Sequence, residues 1–244
     1  MLSGKRIALF SILIALAAIL CSCAETMNAV EHAKLETQAK MTNTIFLEPV
    51  QSPDEKTVFV QVKNTSDVPG IQFEHLLKQK LQARGYQIEE APYKAHYWIQ
   101  ANVLYMGKQS EHLTMAGALA GGYGGTLAGL TMGHGYGTLG AAGAGALIGS
   151  GLGMIAGAAL HVDTYFGVID VQIKEKTHAP IQTEVRSDLE QGIGTTVHST
   201  QTVSTAYQAY RTRIVASATR TNINLQEAVA ALSDKLASEI AGIF

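Results

Sequence analysis

The chain has 244 residues, and its 18 Lys and Arg against 20 Asp and Glu leave a formal net charge of −2. No basic stripe or aromatic-basic cluster stands out, which excludes the footprint of a nucleic-acid binder. Charged residues make up only 16% of the chain, low for a globular protein, and the deficit sits in the N-terminal segment and a central glycine-rich region. The two cysteines, Cys21 and Cys23, both lie near the start, so no disulfide framework is available to the rest of the chain.

Residues 1–22 have the three parts of a secretory signal: Lys5 and Arg6, an apolar run from Ile7 to Leu20, and small residues before Cys23. The run is too short for a membrane span. Leu20-Cys21-Ser22-Cys23 resembles the lipobox of bacterial lipoproteins. That resemblance implies cleavage before Cys23, a covalent N-acyl and S-diacylglycerol lipid on that residue, and insertion into outer-membrane lipid, since Ala24 rather than Asp follows it. No other cofactor is expected. Residues 23–43 read as a lipidated tether.

From residue 44 the pattern becomes that of a folded domain. Thr44 to Leu47 predicts a short strand ended by Pro49, and Thr57 to Val62 alternates Val58, Val60 and Val62 with polar or aromatic residues, as a half-buried strand does. Ile71 to Arg84 places Phe73, Leu76, Leu77 and Leu81 on one helical face and stops at Gly85. Tyr86 to Glu89 and His96 to Met106 predict two more strands, the second with Tyr97, Ile99, Ala101 and Val103 on one face and Trp98, Gln100 and Asn102 on the other.

The stretch at 112–162 is different in kind. It holds no Asp, Glu, Lys or Arg, and a small residue recurs at every fourth position: Gly117, Gly121, Gly125, Gly129, Gly133, Gly137, Ala141, Gly145, Gly149, Gly153 and Gly157. Interior Gly costs roughly 1 kcal/mol relative to Ala in a water-exposed helix, whereas in lipid small residues at this spacing allow helices to pack closely. The reading is therefore a transmembrane hairpin of Leu113–Met132 and Thr138–Leu160, each near the length a bilayer requires. The segment Gly133-His134-Gly135-Tyr136-Gly137 is its exposed turn, directed to the cell surface. A stripe on both helices predicts neighbours, hence a homo-oligomeric ring. The length without charge disfavours a buried hairpin or a flexible glycine tract.

After it, Thr164 to Lys174, Ile181 to Val185 and Tyr210 to Ala216 predict strands, with a loop around Gly192 to Ser204. Asn224 and Glu227 have capping-box spacing before a helical repeat of Leu225, Val229, Leu232, Leu236, Ile240 and Ile243. The expected fold class is α+β: a periplasmic mixed-sheet domain with packed helices, in two parts at 44–111 and 163–244, interrupted by the glycine-striped transmembrane α-helical hairpin.

Catalytic chemistry finds no foothold. Gly135 to Gly140 matches GxGxxG in a run where such matches are nearly unavoidable, and no strand leads into it. The histidines form no HxxxH or HxH pair, so no metal site is expected, and Asp170, Glu175 and Asp188 make no compelling carboxylate set. There is no nucleophile elbow or P-loop, so an enzyme is not expected.

The whole chain resembles the TraT family of plasmid-encoded outer-membrane lipoproteins, through Cys23, TIFLEP from Thr44, TVFVQVKNTSD from Thr57, YWIQANVL from Tyr97, the central small-residue region, IDVQIKEKT from Ile169 and YRTRIV from Tyr210. The resemblance implies surface exclusion, in which stable mating contact with donors of related conjugative plasmids is hindered. It also implies a homo-oligomer at the outer membrane and, for some members, resistance to serum complement. Partners would be other copies of the chain and a donor-cell surface or pilus component, or a recipient outer-membrane protein. The alternative class is an oligomeric outer-membrane channel or secretion-type pore, against which stands the near absence of charge in the hairpin.

Overall fold

The computed structural model describes residues 32–50, 52–110, 113–125, 127, 161–191 and 195–244. Alternating sequence becomes alternating burial: along the strand β2 (Thr57–Asn64), Val58 and Val60 are buried while Gln61 is exposed. The same period runs through β4 (Tyr97–Lys108), with Tyr97, Ile99, Ala101 and Val103 buried. These strands lie in a six-stranded mixed sheet with β1 (Glu36–Met41), β3 (Gln87–Ile88), β5 (Val162–Gln191) and β6 (Thr195–Thr221), ordered β1-β6-β5-β4-β2-β3. β2 pairs in parallel with β3 and β4, and the remaining pairs are antiparallel. Because β4 pairs with β5, residues before and after the glycine-rich segment share one sheet.

Helices cover one face. The predicted amphipathic helix forms as α1 (Phe73–Ala83), burying Phe73, Leu77 and Leu81, and ends at Gly85, whose φ of +86° is the left-handed conformation glycine accepts at no steric cost. The C-terminal helix α3 (Leu225–Ala241) starts where its cap spacing predicts: the Asn224 side chain accepts from the Glu227 N–H at 2.9 Å. Leu232, Leu236 and Ile240 of α3 join Ile99, Ile169, Val171 and Ile214 of the sheet in the main core. Gly167 lets α3 come this close, since a Cβ there would stand 2.9 Å from Met106 Sδ and 3.0 Å from Leu236 Cδ1.

The expected transmembrane α-helical hairpin is overturned. The structure is mostly β, and among the described residues no helix is long and apolar enough to cross a membrane. Where the first spanning helix was expected, the described residues hold only the short α2 (Met115–Ala120), and the chain then turns through Gly122 at φ +59° and Gly124 at φ +72°. The physical reason is that glycine permits a left-handed backbone as readily as it permits close helix packing. Here Gly122 and Gly124 serve the turn.

Three smaller expectations also change. Residues 36–41, expected in the tether, form the edge strand β1 on β6, with Ala39 and Met41 packed against the core and Lys40 between them exposed. Thr44 to Leu47 is not a strand; Ile45 is buried and Phe46 is 82% exposed. The segments expected as separate strands and a loop after Lys174 are two long strands, paired from Val162↔Thr221 out to Gln191↔Thr195. Their Ser, Thr and Val content suits a pleated ribbon despite its polarity.

Candidate functional site

The sheet face opposite α1 and α3 carries the polar chemistry. Strict alternation brings Gln61 of β2, Gln100 of β4, Gln172 of β5 and Arg211 of β6 into one row across four strands. Their side chains bond in sequence: Arg211 Nε donates to Gln172 Oε1 at 2.7 Å, Gln172 Nε2 to Gln100 Oε1 at 3.0 Å, and Gln100 Nε2 to Gln61 Oε1 at 3.1 Å.

The next row holds a clamp. Arg213 is fully buried and grips Asp170 through two bonds, Nε to Oδ1 at 2.6 Å and Nη2 to Oδ2 at 3.0 Å. Its remaining N–H groups reach the segment above: Nη1 donates to the Ala118 carbonyl at 3.2 Å and Nη2 to the Gly125 carbonyl at 2.7 Å. The Gly124 N–H returns a bond to Asp170 Oδ2 at 2.8 Å. A buried charge pair is tolerable only when its other donors and acceptors are met, and here backbone groups meet them. Beside the clamp, Leu113 and Ala118 pack on Phe166, Val168 and Val215 in a second, smaller core. Tyr123 is drawn over the row by Arg211, whose guanidinium carbon lies 5.5 Å from the ring centroid.

Between the 123–125 turn and strands β2 and β4 lies a cavity of about 420 Å³, with Gln61, Lys63, Gln100, Asn102, Tyr123 and Arg213 among its walls. Further along the same face Trp98 is flanked by Tyr207 at 4.8 Å between centroids, by Phe59 at 6.5 Å, and by Lys174 Nζ at 5.2 Å.

A different polar cluster ties residue 48 to the root of the β5–β6 ribbon. Buried Glu175 accepts from the Glu48 N–H at 3.1 Å and from the Tyr210 hydroxyl at 2.9 Å, while the Tyr97 hydroxyl donates to the Glu48 carbonyl at 3.3 Å. Burial first, then its bond to Glu175, pushes Tyr210 up to about 12. Burial and the Glu175 charge likewise raise Tyr97. Both tyrosines hold their protons at neutral pH and donate them, Tyr97 to the Glu48 carbonyl and Tyr210 to Glu175, so the cluster fastens residue 48 to the ribbon root.

Of the residues singled out in the sequence, Gly117 lies within α2, Gly121 caps it, and Gly125 supplies the carbonyl that Arg213 grips. Cys23, Gly129, Gly145, Gly149, Gly153, Gly157 and the turn Gly133, His134, Gly135, Tyr136 and Gly137 fall outside the described residues. Among the described residues no three His, Cys, Asp or Glu side chains stand together as a metal site. Sequence reading missed the clamp and the amide row; the available signal was a Gln at the same facing position in three strands.

A family model described as enterobacterial TraT complement resistance protein matches residues 34–244. The chain belongs to the TraT family. A TraT complement resistance protein of Escherichia coli is 40% identical over 232 residues, covering 92% of each chain. That of Escherichia coli strain K12 is 37% identical over 229 residues, again 92% of each. A TraT relative from Wigglesworthia glossinidia brevipalpis is 42% identical over 83 residues, 33% of each chain. The TraT match begins two residues before β1 and runs past the end of α3, so it takes in every strand of the sheet together with the clamp and the amide row. The TraT name denotes complement resistance and not a reaction.

Proposed function

We propose that this chain is an outer-membrane lipoprotein, anchored through lipid on Cys23, that confers complement resistance and mediates surface exclusion in conjugation. Exclusion acts by hindering stable mating contact with donors of related plasmids, through a donor-cell surface or pilus component or a recipient outer-membrane protein. The observation that carries the reading is the TraT match over residues 34–244, with relatives aligned along 92% of their length. The lipobox at Leu20 to Cys23 supports the anchor.

We also infer assembly of several copies into a ring. Its support is the outer part of the β5–β6 ribbon, where residues 181–191 pair only with residues 195–205 among the described residues. β1 stops at the partner of Ile214, and β4 stops at the partner of Glu175. Two ribbon edges without a partner strand among the described residues are a template for strand pairing, and a two-stranded hairpin by itself is marginal in water. Pairing of the β6 edge of one copy with the β5 edge of the next is a head-to-tail contact, which gives a ring where the rotation between copies closes.

The test is a mating assay in recipients that express the chain, the Cys23→Ser variant, or neither, with serum survival measured in parallel. The expected result is reduced plasmid uptake and improved survival with the lipidated chain alone. Uptake and survival equal to those of the empty recipient would overturn the reading.

A further inference from the structure

We propose that the cavity between the 123–125 turn and strands β2 and β4 is a binding site for a small ligand presenting an oxyanion, a phosphate or a carboxylate. The amide row supplies the first argument, because its direction is fixed from one end. Arg211 has only donors to offer, so the Gln172 group that meets its Nε must be the oxygen. Gln172 then turns its NH2 to Gln100, and Gln100 turns its own to Gln61. At the end of the row Gln61 has spent its oxygen, and its NH2 makes no bond among the described residues. Aligned amide dipoles reinforce one another, so the charge of Arg211 is relayed to an N–H donor at the cavity wall.

The other walls agree. Lys63 is exposed beside Gln61 and makes no ion pair or hydrogen bond among the described residues. Asn102 turns its oxygen toward the Thr65 hydroxyl at 3.2 Å. The one carboxylate in the wall, Asp170, is saturated by Arg213 and the Gly124 N–H. The face is also charge-segregated. Register places Lys40, Lys63, Lys174, Lys176, Arg211 and Arg213 on this side of β1, β2, β5 and β6, against Asp170 and, at the far end of β1, Glu36 as far as the ribbon root. A basic face on a chain of net charge −2 draws anions toward the cavity. A volume of about 420 Å³ admits a small molecule and not a folded partner.

Titration calorimetry of the full chain in detergent with sodium phosphate at low ionic strength, and then with D-glucuronate, tests the site. Saturable binding of at least one is expected. Lys63→Met should weaken it tenfold or more, while Lys34→Met, which removes the same charge elsewhere on the surface, leaves it unchanged. Gln172→Met cuts the row without altering charge and should weaken binding about threefold to tenfold. The proposal is overturned by no saturable binding of either anion, by equal losses in Lys63→Met and Lys34→Met, or by unaltered affinity in Gln172→Met.

Discussion

Arg213 and Asp170 show how much one buried pair decides. Neither touches water appreciably, and each is met by the other and by backbone groups of the 118–125 segment. Removing one partner strands the other charge, so Arg213→Met or Asp170→Asn should each cost about 3–5 kcal/mol in urea unfolding. The double variant Arg213→Met with Asp170→Leu should recover much of that loss, while leaving residues 113–127 more open to protease than in the native chain. Glu175 gives the second test at this scale. Tyr210 is raised from its ordinary 10 to about 12 in the fold, so the native state holds that proton more tightly than the unfolded chain. Its contribution is complete below pH 10 and is lost as pH rises to about 12. Urea midpoints should fall across that window, and fall less steeply in Tyr210→Phe, which has no phenolic proton to lose.

Among the elements, the β5–β6 ribbon stands apart from the rest of the sheet. Its inner part is gripped by β4, β1 and α3, whereas beyond Lys176 and Tyr207 its register shifts and it pairs only with itself among the described residues. Stability of the sheet therefore resides in the inner part. Replacing residues 178–205 with a two-residue Asn-Gly turn should leave far-UV circular dichroism of a β protein and the urea midpoint nearly unchanged. The same variant should lose self-association in sedimentation; an unaltered oligomer would remove the ribbon from assembly. The short helix α2 is the contrary case. Six residues are too few to be stable alone, and α2 persists because Leu113 and Ala118 are buried on the sheet and its Ala118 carbonyl is held by Arg213.

At the scale of the molecule, the two faces of one sheet have separate uses. One buries the apolar sides of α1 and α3 and carries the main core. The other combines the clamp, the amide row, an aromatic cluster around Trp98 and an open cavity. Amphipathic elements were legible residue by residue: the alternation in β2 and β4, the Gly85 stop of α1 and the Asn224 cap of α3 all depend on neighbours a few positions away. Membership of the TraT family was legible too, since it rests on ordered stretches of sequence. The contents of the second face were not, because Gln61 meets Gln100 across 39 residues and Gln172 meets Gln100 across 72. Nothing local marks such residues as partners.

The glycine-rich segment draws the boundary most clearly. Its composition and fourfold period follow from the sequence alone, but the same glycines suit a close-packed helix and a left-handed turn equally well. Only the tertiary structure chose between them for Gly122 and Gly124. A buried guanidinium on β6 requires carbonyl acceptors above the sheet, and a turn presents the Gly125 carbonyl to it where a continuing helix would have bonded that group within itself.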